Sequence, residues 1–167
     1  MPRRLPENTL GTRDEFFARE QAAWRALSAT WDGLPDELLL TPGACGDQWS
    51  VKDLMNHISA WQEAAIRVIG DLLAGKWGRL GVNTDKFNRQ QYELDRNRTL
   101  AESRERLERT RLALLRLLTS LADDQLLNEY GRQQTGWWAK WTTYAHYEEH
   151  ITDLTDFRRI IQLPEGD

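Results

Sequence analysis

Apolar side chains recur at helical spacing in four long segments, and that repeat leaves the chain few folds to choose from. The first segment runs from about Thr12 to Trp31, with Phe17, Trp24, Leu27 and Trp31 on one stripe. The second opens at "DQWSVKDLMNHI", where Ser50 is placed to cap a helix and Asp53 follows three residues later, as in a capping box. It continues to about Ala74 and stops at Gly75. The third begins at Thr99, where "TLAE" sets Glu102 at the third position, and Leu100, Leu107, Leu114 and Leu121 mark its inner face. The fourth runs from about Gly136 to Ile161, ahead of Pro164. Helices are thus expected over about 12–32, 50–74, 99–121 and 136–162. Each has one stripe to bury, and helices of this kind close on one another as a bundle.

Strand signals are missing: no run alternates apolar with polar residues, and no Asn-Gly or Asp-Gly turn joins two such runs. Residues 33–49 form a Pro/Gly-rich link with room for one helical turn. Residues 75–98 form a longer link in which "TDKFNRQQYELDRNR" reads as a short helix. A link of that length lets two successive helices run parallel. With 167 residues, 40% of them hydrophobic, the chain suits a single domain, 1–167, with a real core. The expectation is an all-α four-helix bundle with one or two short extra helices in the connections.

The net charge of −4 comes from interspersed acids and bases. Arg104, Arg106, Arg109, Arg111 and Arg116 sit on the third helix, where Glu102–Arg106 and Glu105–Arg109 make favourable pairs one turn apart. This reads as a solvated charged face, so neither nucleic acid nor membrane is expected as a partner. Cys45 is the only cysteine, which excludes an intramolecular disulfide and a four-cysteine zinc site. It reads as a silent small residue. "MPRRLPENTL" lacks the apolar stretch of a signal peptide, and no apolar run approaches the ~20 residues of a membrane span, so a cytoplasmic setting is expected.

The chain has three histidines, and two of them, His146 and His150, stand four apart in "AHYEEHITDL". Residues so spaced share one helix side, with Cβ atoms ~5–6 Å apart. Ala139, Thr143, Phe157 and Ile161 share that side, so both rings face inward. His57, in "DLMNHISAW", lies on a stripe with Leu54, Trp61, Ala64 and Val68. A histidine on an apolar face is often a hydrogen-bonded core residue. Yet burying three imidazoles without partners costs roughly 1–3 kcal/mol each, and one shared divalent ion would satisfy all three. Three protein ligands also leave a coordination position open, the catalytic and not the structural pattern.

Around these residues, Asp153 shares the histidine face and is a candidate to orient a ligand histidine or to act as a base. Asp53 precedes His57 by one turn, and its helix-capping role is the favoured one. Trp61, Thr143 and Tyr147 are candidates to border a substrate pocket, with core packing as the alternative. On a continuous fourth helix Trp137 points away from His146, so it needs cover from loops or from a second chain; a homodimer is expected.

The same stretches resemble a known family. "QWSVKDLMNHISAW" is similar to the second-helix signature of DinB/YfiT-like four-helix proteins. "HYEEHITDL" resembles that family's histidine pair in the fourth helix, and "DKFNRQQYELDRNRTLAES" is like its linker and third-helix start. The resemblance spans about residues 12 to 162. It implies an up-down-down-up bundle, often dimeric, in which His57, His146 and His150 hold a divalent ion: zinc, nickel, iron or manganese. Relatives include thiol-dependent enzymes such as mycothiol-dependent maleylpyruvate isomerase and bacillithiol transferases. "WWAKWTT" resembles the ClbS/DfsB group, which protects cells against a reactive genotoxin. The expected function is a metal-dependent enzyme acting on a small molecule, either a thiol-dependent S-transferase or isomerase with a low-molecular-weight thiol as cosubstrate, or a hydrolase. The alternative is a protective small-molecule-binding protein.

Overall fold

A computed structural model describes residues 11–46, 48–76 and 83–161. The helices are α1 (Arg13–Ala29), α2 (Asp36–Leu39), α3 (Val51–Leu73), α4 (Thr84–Asp95), α5 (Leu100–Ser120), α6 (Asp123–Leu127), α7 (Thr135–Trp141) and α8 (Tyr144–Ile161). Three of the long helices start at reciprocal caps: Thr12 with Glu15, Ser50 with Asp53, and Thr99 with Glu102. In each, the N-cap hydroxyl accepts a backbone N–H that has no helical partner, and the acidic residue accepts the N-cap N–H in return. Asp53 is therefore a helix cap, its Oδ2 accepting from the Ser50 N–H at 3.0 Å.

Side-chain pairs fix the helix directions. Arg19 meets Glu148 near the starts of α1 and α8, and Arg158 donates to the carbonyls of Ala29 and Thr30 near their ends, so the two helices run parallel. Lys52 reaches the carbonyls of Arg96 and Arg98, Asn56 donates to Ser103, and Thr110 donates to Gln62, so α3 and α5 also run parallel. Arg13 meets Asp123, just beyond the end of α5, while Arg111 meets Glu20, which sets α1 against α5. The result is the up-down-down-up bundle. Its core is shared by Phe16 and Leu27 of α1, Leu54, Ile58 and Ile69 of α3, Leu114 and Leu118 of α5, and Tyr144 and Tyr147 of α8, all essentially without exposure. A buried side chain of this size contributes roughly 1.5–3 kcal/mol. Among the described residues, no helix is long and apolar enough to cross a membrane.

Two features depart from the sequence reading. The α5 arginines are not uniformly a solvated face. Arg106 is 5% exposed and pairs with Asp95 at 2.6 Å and Glu63 at 2.8 Å, which fastens the end of α4 onto α3 and α5. Arg111 pairs with the buried Glu20 at 2.8 Å and lies over the Trp24 ring.

The fourth periodic segment is also not one helix. It breaks between α7 and α8 at Thr142 and Thr143, whose hydroxyls donate to the carbonyls of Trp138 and Ala139 one turn back. The Thr142 N–H still reaches the Trp138 carbonyl at 3.1 Å, but the Thr143 N–H turns to the Lys140 carbonyl, three residues back, at 3.3 Å, and the regular ladder ends there. The break resets the phase of the segment, so Trp137 no longer points away from the histidines. Its ring packs on Trp138 and Trp141 under the Arg132 guanidinium.

Candidate metal centre

The three histidines come together where α3 faces the first turns of α8. The capping box at Ser50 sets the phase of α3, and His57 then falls on the side turned toward α8. The Thr143 carbonyl receives the Tyr147 N–H at 3.0 Å and so opens the regular ladder of α8. From there His146 and His150 stand one turn apart. Ring centroids are 4.9 Å apart for His57–His146, 5.3 Å for His57–His150 and 4.9 Å for His146–His150. One nitrogen from each ring lies within 4.8 Å of the other two.

The electrostatics keep these rings neutral. Burial, reinforced by His150, pushes His57 down to about 3. Burial first, and then its two histidine neighbours, holds His146 well below the usual imidazole value. His150 is lowered by burial, although Glu149 and Asp153 pull the other way. Neutral imidazoles carry the lone pairs that a metal ion needs.

The donor set fits a divalent transition ion. The Nε2 atoms of His57 and His146 face each other at 2.9 Å, while His146 Nδ1 and His150 Nε2 are buried with no hydrogen-bond partner. Three imidazoles suit zinc, nickel or iron.

Beside the histidines opens a cleft of about 540 Å³. Trp49, Trp61, Trp137, Trp138 and Trp141 line it together with the three imidazoles. Trp61 is held by its indole N–H, which donates to Asn88 Oδ1 at 2.9 Å, and by the Phe87 ring at 4.5 Å. Trp49 stacks on Tyr92 at 5.8 Å and leans on His57 at 5.0 Å. Thus α4, the helix inside the long link, forms one wall and α7 another.

Of the residues singled out in the sequence, Trp61 lines the cleft and Asp153 lies beside it, half-exposed, its Oδ2 3.9 Å from His150 Nδ1. Thr143 and Tyr147 do not border it. Thr143 is fully buried, and Tyr147 accepts from Gln62 at 2.9 Å while packing against Trp24 inside the bundle. One position beyond His146, Tyr147 is turned ~100° around the helix, toward the core instead of the cleft. Cys45 was read as silent, yet its sulfur lies on the cleft wall, 3.8 Å from His150 Nδ1 and 3.7 Å from Asp153 Oδ2. Nothing local in the sequence signals this, because 105 positions separate Cys45 from His150.

The sequence matches the family model of the DinB superfamily over residues 21–153. The chain belongs to the DinB superfamily. Among curated proteins none matches this DinB chain. Among solved structures it is similar to an uncharacterised protein from Escherichia coli UTI89, with 15% identity and a TM-score of 0.77, covering 92% of this chain and 96% of that one. It is similar to DfsB, described as a sibling lethal factor precursor, at 14% identity and TM-score 0.76, covering 92% and 99%. It is also similar to the colibactin self-resistance protein ClbS, at 15% identity and TM-score 0.77, covering 93% and 99%. These likenesses establish the fold.

One of them corrects the expected partners. ClbS was solved in complex with double-stranded DNA. The mixed charge of α5 and the net acidity therefore do not exclude nucleic acid for a DinB protein of this fold. Net charge averages over the whole surface, whereas phosphate contacts are made by individual side chains.

Proposed function

We propose that this DinB protein is a metal-dependent enzyme that adds a small nucleophile, water or a low-molecular-weight thiol, to an electrophilic carbon of an apolar, aromatic small molecule. The observation that carries this reading is the opening of a tryptophan-lined cleft directly onto three neutral, inward-turned imidazoles. His57, His146 and His150 would hold the ion, and their burial keeps them deprotonated and rigid. A divalent ion there supplies Lewis acidity and lowers the pKa of a water or thiol that it binds. Trp61, Trp137 and Trp141 take up the flat apolar part of the substrate and exclude bulk water from it. Glu149, on the cleft wall, is placed to accept the proton that the nucleophile releases.

A second reading is capture without turnover, favoured by the five indoles of the cleft and by the likeness to the self-resistance protein ClbS. The test is a screen of zinc-, nickel-, iron- and manganese-loaded protein against aromatic electrophiles, with and without added thiols. Catalytic product formation that chelator abolishes supports the enzyme. Stoichiometric binding with no turnover for any metal supports capture instead.

A further inference from the structure

We infer that Cys45 is a positioning residue of the metal centre: its sulfur accepts the Nδ1–H of His150 and so turns the Nε2 lone pair toward His57 and His146. This rests on the proposed metal site, and it follows from the two ends of one ring. A neutral imidazole has one N–H and one lone pair. Nε2 of His150 is buried without a hydrogen-bond partner, which leaves it to face an ion. The proton then sits on Nδ1, and Nδ1 needs an acceptor.

Two atoms compete for that proton. Asp153 Oδ2 lies 3.9 Å away, too far for a hydrogen bond to oxygen. Cys45 Sγ lies 3.8 Å away, within reach because sulfur is the larger atom. The thiol donates in turn to Asp153 Oδ2 at 3.7 Å. The carboxylate therefore acts on His150 through the sulfur. Metal-binding histidines commonly rely on such an outer partner to fix tautomer and ring angle, although a thiol in that place is unusual.

The backbone shows that Cys45 is held for this task. The N–H groups of Gly43, Ala44 and Cys45 all point at the Trp49 carbonyl, at 3.1, 2.9 and 3.4 Å. One loop thus fixes the sulfur on His150 and the Trp49 ring on His57.

Cys45→Ala should bind zinc about 10–100-fold more weakly than the unaltered protein, with the metal-free thermal midpoint unchanged. Cys45→Ser should behave like Cys45→Ala, because the shorter hydroxyl does not span the gap. Nitrogen-15 spectra of the histidines supply a readout that needs no metal. The unaltered protein should hold His150 in its Nδ1–H form, and Cys45→Ala should lose that preference. Equal zinc affinity for Cys45→Ala overturns the inference, as does an unchanged tautomer. A thiolate-to-metal charge-transfer band in cobalt-loaded protein also overturns it, since Cys45 would then be a ligand. Failure of the unaltered protein to bind any ion sinks the proposed function instead, and the tautomer measurement still decides the role of Cys45.

Discussion

The Nε2 atoms of His57 and His146 stand 2.9 Å apart, although 89 positions separate the two residues in the chain. Both rings are neutral, and at most one of the two nitrogens carries a proton. The contact is therefore either a single hydrogen bond or a pair of lone pairs turned on a shared cation. With His150 Nε2 adjacent and buried without a partner, the second arrangement satisfies that nitrogen as well.

Protein purified without chelator should carry about one divalent transition ion per chain. His150→Ala should weaken binding by more than the ~100-fold typical of losing an outer partner, because it removes a ligand itself. Elemental analysis and zinc titration measure both. A metal-free chain that takes up neither zinc nor nickel would refute the site.

Acid should destabilise the metal-free protein over a defined range. The ordinary imidazole value is 6.5, and in the folded chain His57 lies at about 3 while His146 and His150 are also lowered. Below pH 6.5 the unfolded chain takes up protons that the folded chain refuses, so stability falls with pH, the His57 contribution doing so until about 3. Above pH 6.5 the slope from these three groups fades over about one further pH unit as the unfolded histidines lose their protons. Urea midpoints in chelator should show this, and His57→Asn should flatten the slope. An identical slope in that variant would contradict it.

Removing Arg106 should be costly. Arg106→Ala leaves the buried carboxylate of Asp95 with only the half-exposed Arg98, at 2.8 Å, as its partner, so the loss should fall short of the about 3–5 kcal/mol of a fully orphaned buried charge. Arg106→Met combined with Asp95→Leu should recover most of it, since neither charge then remains buried. Denaturant unfolding of the single and double variants decides the matter.

Gly136→Ala should shift α7. An added Cβ would collide with the backbone carbonyls of Leu126 and Asn128, which cannot rotate aside as a side chain can. Overpacking of this kind costs roughly 1–3 kcal/mol, a Tm loss on the order of 5 °C. A Tm equal to that of the unaltered protein would show that the α6–α7 contact is looser than described.

Trp141→Ala should leave Tm nearly unchanged, because the side chain is 44% exposed at the cleft. It should weaken binding of an aromatic ligand several-fold, as expected for losing ~0.5–1.5 kcal/mol of ring contact. Calorimetric titration measures it, and unchanged affinity would place the ligand elsewhere.

The sequence by itself determined the four periodic segments, the caps at Ser50 and Thr99, the short helix in the long link and the inward turn of all three histidines. These are local properties: a repeat of apolar residues and a hydroxyl three positions before a carboxylate act within one or two turns. Tertiary structure decided what depends on distant partners. Arg106 is buried because Asp95 and Glu63 arrive from two other helices to neutralise it. Cys45 joins the histidines because a loop folded on the Trp49 carbonyl delivers its sulfur there. The break at Thr142 and Thr143 lies between these extremes. The threonines are visible in the sequence, but a threonine hydroxyl can bond back to the preceding turn within an unbroken helix as well. That the ladder ends there is visible only in the fold, and the break brings the tryptophans of α7 and the histidines of α8 into one cleft.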